Sequence, residues 1–219
     1  MKRIILSLAI LFVAAGAFAQ TGKNSKKWSF GVTIGAPLQN LTGRDLLDDR
    51  LENKMVSRFN GGVNAQLELA DDFYIQPGLL FATKGTRFKG SDAVLNLSYL
   101  EVPVHLLYKP VLGNGRLILG VGPYVAFGVG GNLKQENGSE ADVVFANEVD
   151  LLQFISGNHY RGLDAGGNLV FGYELKSRFS VQLNAQLGMA NLAPAIRGAG
   201  DIDARYNNSG FGFSVGYRF

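Results

Sequence analysis

The sequence contains no cysteine. That excludes a disulfide scaffold, thiolate metal and iron–sulfur sites, a thiol nucleophile and an N-terminal lipid-modified cysteine. Long apolar runs are also scarce. Beyond the first residues, the long uncharged stretch 117–133 carries five glycines and Pro123, which makes it a poor membrane-spanning helix. Charge of one sign is missing too: 21 Lys and Arg face 18 Asp and Glu. A balance that close gives no electrostatic footprint for nucleic acid.

What is present begins with a leader. Met1, Lys2 and Arg3 form a short positive segment, residues 4–15 are apolar apart from Ser7, and Ala17-Phe18-Ala19 fits the small-x-small cleavage rule. We therefore expect residues 1–19 to be a cleaved secretory signal peptide, leaving one domain over 20–219. Loss of Lys2 and Arg3 takes two charges from the formal net of +3. Glycine, at 29 of 219 residues, is about twice its usual share and disfavours an all-α fold.

Alternation of period two recurs along the chain. Phe211, Phe213, Val215, Tyr217 and Phe219 share one face of the last segment, while Gly212, Ser214, Gly216 and Arg218 share the other. Successive side chains of a strand project to opposite faces, so this pattern is strand chemistry. The same test gives eight strands, near 28–36, 58–70, 73–84, 97–109, 116–130, 162–175, 178–190 and 208–219. Their lengths exceed the ~5–6 residues of a soluble strand and match the ~9–11 that cross a bilayer when tilted. Short turns at 71–72, 110–115 and 176–177 alternate with long connections at 37–57, 85–96, 131–161 and 191–207. An even strand number with loops sorted by length predicts an eight-stranded antiparallel up-and-down transmembrane β-barrel, its short turns periplasmic and its long loops extracellular.

The two faces of these strands differ. Trp28, Phe73, Tyr108, Tyr173, Phe179, Tyr217 and Phe219 fall on the outer face at the short-turn end, and Phe59, Phe81, Phe127 and Phe211 near the long-loop end. Aliphatic residues lie between, as lipid requires of a wall flanked by aromatic girdles. The opposite face holds Asn, Gln and charged residues, among them Glu68, Lys84, Glu101, His105, Glu174 and Arg218. We expect these six to form a polar lumen network, because eight strands leave room only for side chains and buried charges must pair. Glu68, Glu174 and Arg218 should share a layer near the short turns, with Lys84 and Glu101 higher. Pro77, Pro103 and Pro123 fit poorly within strands, since proline donates no ladder hydrogen bond. Local bulges or a strained wall are the expected accommodations, and a bulge would invert the face assignment beyond it.

The runs Tyr74-Ile75-Gln76-Pro77-Gly78-Leu79-Leu80-Phe81 with Lys84-Gly85, Tyr99-Leu100-Glu101-Val102-Pro103 and Gly120-Val121-Gly122-Pro123-Tyr124 carry a resemblance. So do Arg161 and Asp164 before Gly166-Gly167, and the closing Gly216-Tyr217-Arg218-Phe219. Over about two-thirds of its length the chain resembles PorT-like, porin-family outer-membrane β-barrel proteins of Bacteroidota. It departs at Gly78, where relatives often carry Glu. The resemblance implies an integral outer-membrane barrel without a catalytic residue set. Its name-giving member belongs to a protein secretion system.

No catalytic, cofactor or metal site stands out. Glu101 and His105 share a face at a spacing of four, but a lumen role explains them better than acid–base or metal chemistry. Ser, His and Asp occur, but the Gly-x-Ser-x-Gly run at Gly212–Gly216 lies inside the last alternating segment and not at a strand-to-helix elbow, and the Gly120-Val-Gly-Pro motif precedes no helix. The acidic loop around Glu136, Glu140, Asp142, Glu148 and Asp150 reads as solvated, with a calcium or cationic-partner site as the alternative. Residues 143–155, unusually apolar for an exposed segment, would extend the strands, form a short helix or contact a partner. The functional expectation is a non-enzymatic outer-membrane barrel whose extracellular loops contact an envelope or secretion-system protein or a surface polymer. The alternatives are passage of small solutes and, with less support, a membrane-embedded lipid-modifying enzyme or protease. Outer-membrane lipid surrounds such a wall, and the barrel-assembly machinery would engage it during biogenesis. For that step Phe211, Phe213, Val215, Tyr217 and Phe219 form a candidate assembly signal, an edge-presenting strand with a terminal aromatic.

Overall fold

Each alternating segment forms a strand, and each strand pairs antiparallel with its sequence neighbours. The computed structural model describes residues 28–46, 48–156, 158–198 and 204–219, so the expected signal peptide at 1–19 lies outside the described residues. The eight long strands are β1 (Trp28–Arg44), β2 (Asn60–Ala70), β3 (Phe73–Phe88), β4 (Val94–Tyr108), β5 (Gly115–Lys134), β6 (Leu163–Leu175), β7 (Phe179–Gly188) and β8 (Arg205–Arg218). The ladder runs from β1 through β8 in order, and β8 then pairs with β1, from Gly31 opposite Arg218 to Arg44 opposite Arg205. The sheet is therefore a closed eight-stranded ring. Closure removes the free edges that an open sheet would expose.

Polarity is inverted relative to a water-soluble fold. Phe30, Ile34, Val63, Val121, Leu169, Phe171, Val181 and Phe213 are exposed on the outer wall. Lys84, Glu101, Lys109, Asp164 and Asn208 are buried inside. In water such a wall would leave a large apolar area exposed, whereas acyl chains match it. Aromatic pairs mark the short-turn rim. Phe73 and Tyr108 meet at a tilt with ring centroids 4.9 Å apart, Phe179 and Tyr217 likewise at 4.8 Å, and Tyr217 meets Phe219 edge-on at 5.4 Å.

The turns at that rim use residues that tolerate left-handed backbone. Asp72 (φ 63°), Gly113 (φ 58°) and Arg178 (φ 68°) each take a positive φ in the three short connections. Asp and Gly accept this region readily. Arg178 does so at some cost in strain, offset where its carbonyl accepts the N–H of Arg218 at 3.0 Å.

Two expectations need correction. The prolines do not sit at bulges. Pro77 pairs with Val104, Pro103 with Tyr124 and Pro123 with Gly167, and the register is the same on both sides of each. The missing N–H groups remove individual rungs, while flanking pairs such as Asn64–Gly78 and Leu67–Ile75 hold the alignment. A fourth proline, Pro37, lies in β1 opposite Gly212. The register shifts occur elsewhere, between Glu68 and Ala70 and between Ser98 and Tyr99. The second inverts the wall of β5: Tyr124 and Ala126 are buried below it and Leu133 above it.

The long connections are also more structured than expected. β1 continues to Arg44, β3 to Phe88 and β5 to Lys134, which shortens the second of them to residues 89–93. Gly85 makes part of this possible: its φ is 138°, and a Cβ there would overlap the Leu95 backbone. Within the third, Glu140–Asp142 folds back on β5, Val144–Phe145 pairs in parallel with His159–Tyr160, and Leu151–Ile155 forms one helical turn. A further parallel pair, Glu148–Val149 with Ala195–Ile196, ties the third connection to the fourth.

Candidate functional site

The candidate site is the interior of the ring, and the inward parity of each strand decides what stands in it. On β3 the even positions Gln76, Gly78, Ala82 and Lys84 face in, and on β4 the odd positions Glu101, His105 and Leu107, continued just past the strand by the buried Lys109. Two charged clusters result.

The upper cluster centres on Lys84. Its ammonium lies 2.8 Å from Glu101 and 2.9 Å from Asp164, with all three side chains at most 5% exposed. Asp164 also accepts hydrogen bonds from Tyr124 Oη (3.2 Å) and Asn208 Nδ2 (3.0 Å), and Glu101 accepts two from Gln186 Nε2 (3.1 Å each). The ammonium stands 4.2 Å from the centroid of the Tyr124 ring, a cation–π contact in a dry setting. One cation between two carboxylates leaves this cluster with a formal excess of negative charge.

The lower cluster reverses the ratio. Glu174 is 2.8 Å from Lys109 Nζ and 3.6 Å from Arg218 Nε. Arg218 Nη2 donates to Asn64 Oδ1 (2.9 Å) and Gln76 Oε1 (3.2 Å), and Lys109 Nζ also donates to Gln66 Oε1. Gly31 makes room for the guanidinium, because a Cβ there would meet Asn64 Oδ1 at 3.2 Å and Arg218 Nη1 at 3.4 Å.

Of the six residues expected to network, Lys84 and Glu101 meet in the upper cluster, and Glu174 and Arg218 in the lower one. Glu68 joins neither: it stands across the ladder from Tyr74 and makes no ion pair among the described residues. His105 does not pair with Glu101. Its Nε2 lies 3.3 Å from Asn168 Nδ2, its Nδ1 has no partner among the described residues, and the residue lines a cavity of about 70 Å³. Among the described residues no group of three or more acidic, His or Cys side chains is placed to hold a metal ion. Lys109 was missed, although it continues the inward alternation of His105 and Leu107. No local pattern announces the Lys84–Asp164 contact, which joins residues 80 apart in sequence.

Space inside the ring is small. A second cavity, of about 60 Å³, lies beside Asn64, Gln76, Gly78 and Arg218. Above the Lys84 cluster the barrel is stopped by an apolar layer of Leu95, Leu97, Tyr99, Val143 and Leu192, all buried. Above that layer the mouth opens into a cavity of about 700 Å³.

The proposed assembly residues lie on β8. Phe211, Phe213 and Val215 face outward and are exposed, and Phe219 donates its N–H to the carbonyl of Phe30 at 2.8 Å, fastening the end of the chain to the start of β1.

A closed antiparallel ring, apolar outside and charged within, defines a membrane β-barrel. The sequence matches the outer membrane protein beta-barrel domain over residues 18–193, and the chain belongs to that family. Its place is accordingly the outer membrane. Comparison with curated proteins gave no match. Solved structures it resembles include Neisserial surface protein A, at 10% identity and TM-score 0.47, covering 88% of this chain and 99% of that one. OprG of Pseudomonas aeruginosa is similar at 13% identity and TM-score 0.45, covering 88% and 94%. Ail of Yersinia pestis, solved with the heparin analogue sucrose octasulfate, is similar at 11% and 0.43, covering 88% and 99%.

Proposed function

We propose that this protein is a non-enzymatic outer-membrane barrel that presents its long loops to an envelope or surface partner and passes no solute. The supporting observation is the filled lumen. Two ion clusters and an apolar layer occupy successive levels of the ring, and the cavities between them hold no more than about 60 and 70 Å³. Opening a path would require breaking buried ion pairs, and removing one partner of such a pair costs about 3–5 kcal/mol. The short turns would face the periplasm and the long loops the exterior, the usual arrangement for such barrels. Export through a cleaved leader accords with this placement. So does membership of the PorT-like proteins of Bacteroidota, with a secretion-system component as one kind of partner.

Two measurements test this. The purified barrel in planar bilayers should give no stable conductance step. Large, persistent openings would replace this reading with solute passage. In cells the protein should stay with the outer membrane through carbonate and high-salt washing, and its recovery in the soluble periplasmic fraction would refute integral insertion.

A further inference from the structure

The mouth of the barrel is a formed pocket with a definite chemistry. The first three long connections and the start of β8 contribute to it. Leu41, Ala93 and Leu133 are buried at its base, and Phe88, Phe154, Tyr160 and Tyr206 bring four aromatic rings to its lining. Phe154 comes from the one-turn helix, and its ring centroid lies 6.4 Å from that of Tyr206, which stands equally far from Tyr160. The capping box at Asp150 and Gln153 fixes that turn, so the ring is held in place by the local fold. The volume, about 700 Å³, falls within the ~300–1,000 Å³ of small-molecule sites, and barrel mouths are among their preferred positions.

The polar part of the lining is one-sided. Gln135, Glu136 and Asn137 come from a single exposed turn, and Ser91 and His159 complete it. No Lys or Arg is among the described lining residues, and Glu136 is the only carboxylate. An anionic ligand would find no counter-charge here. A cation would find a carboxylate and four aromatic rings in the same lining, the combination that recognises alkylammonium groups.

We propose that this pocket binds a small apolar, ring-bearing molecule with a cationic head, the ring seated among Phe88, Phe154, Tyr160 and Tyr206 and the head toward Glu136. The inference rests on the reading of the loops as the binding end of a closed barrel, and it names a ligand class for them. Because the apolar layer and the Lys84 cluster lie below, the site captures and does not conduct.

The test uses the intact barrel in lipid nanodiscs, with empty nanodiscs as the partition control. Binding of three naphthalene probes is measured by calorimetry: naphthylmethyl-trimethylammonium, 2-naphthol and 2-naphthalenesulfonate. The ammonium probe should bind saturably and about tenfold more tightly than the neutral one, with the sulfonate weakest. Glu136→Gln, an exposed change outside the ring, should bring the ammonium probe down to the level of the neutral one. Ser91→Trp, which fills the rim, should weaken both probes. Equal affinity for all three probes, or binding no greater than to empty nanodiscs, overturns the proposal. Preference for the sulfonate overturns it equally. The same preparation placed in a planar bilayer separates the two readings. An insulating barrel that ignores the ammonium probe loses only the ligand assignment, whereas a conducting one loses the closed-barrel reading beneath it.

Discussion

The two halves of the lumen solve the same problem in opposite ways. In the upper half one cation, Lys84, serves two carboxylates, and no member of the triad is more than 5% exposed. In the lower half one carboxylate, Glu174, serves two cations, and its side chain is 16% exposed. The upper arrangement has no spare charge: remove the cation and two buried carboxylates face each other. The lower one has redundancy, since either cation leaves the other in place. Charge excess of opposite sign at the two levels lets a barrel with a nearly balanced interior still differ in fragility along its axis.

The largest expected effect follows directly. Lys84→Met should destabilise the barrel by about 3–5 kcal/mol, because Glu101 and Asp164 lose their shared counter-ion in a dry site. Urea unfolding in micelles and the loss of heat resistance on gels measure it. Replacing all three, with Glu101→Gln and Asp164→Asn alongside Lys84→Met, should recover most of that loss. A Lys84→Met barrel as stable as the parent would show that the upper cluster is not what holds this half together.

Lys109→Met should cost less, about 1–2 kcal/mol, because Arg218 remains near Glu174 and water reaches the carboxylate. Equal losses from Lys84→Met and Lys109→Met in the same assay would erase the contrast between the halves. Deleting Phe219 should act mainly on kinetics. Insertion slows and periplasmic proteases remove more chain, while barrels that form keep near-normal heat resistance, short of one hydrogen bond to Phe30. Pulse-chase labelling reads the first effect, and an unchanged insertion rate would make the chain end only a strand.

The smallest effect belongs to the loop rim. The hydrogen bond and charge of Lys89 hold the Glu52 carboxyl below its ordinary range. The sign follows: a carboxyl lowered on folding stabilises the fold above its unfolded pKa and loses that contribution as pH falls through its folded pKa. The pair is fully solvated, so Lys89→Gln should leave the melting midpoint at pH 7 unchanged within error.

Much of this was legible in the chain. Phe211 to Phe219 and Phe179 to Met189 alternate so regularly that only a two-faced wall accounts for them, and all eight strands lie where alternation put them. The polar face was legible for the same reason. Its pairing was not: Lys84 and Asp164 belong to β3 and β6, strands that are not neighbours in the ring, and nothing in either segment points to the other. Glu68 shows the limit from the other side, since it has the right parity and no ionic partner among the described residues. The prolines misled because a missing N–H suggested a bulge. A ladder anchored on both flanks tolerates a lost rung without slipping.

Period-two alternation, strand length and the sorting of turns from loops are local properties, so the sequence by itself determined the ring of eight strands and which side faces lipid. Closure decided the rest. Only when Arg218 of β8 came to lie opposite Gly31 of β1 were the inward faces of all eight strands set around one axis. The number of side chains competing for that narrow space then fixed which charges touch, where the apolar layer stops the lumen and how wide the mouth remains.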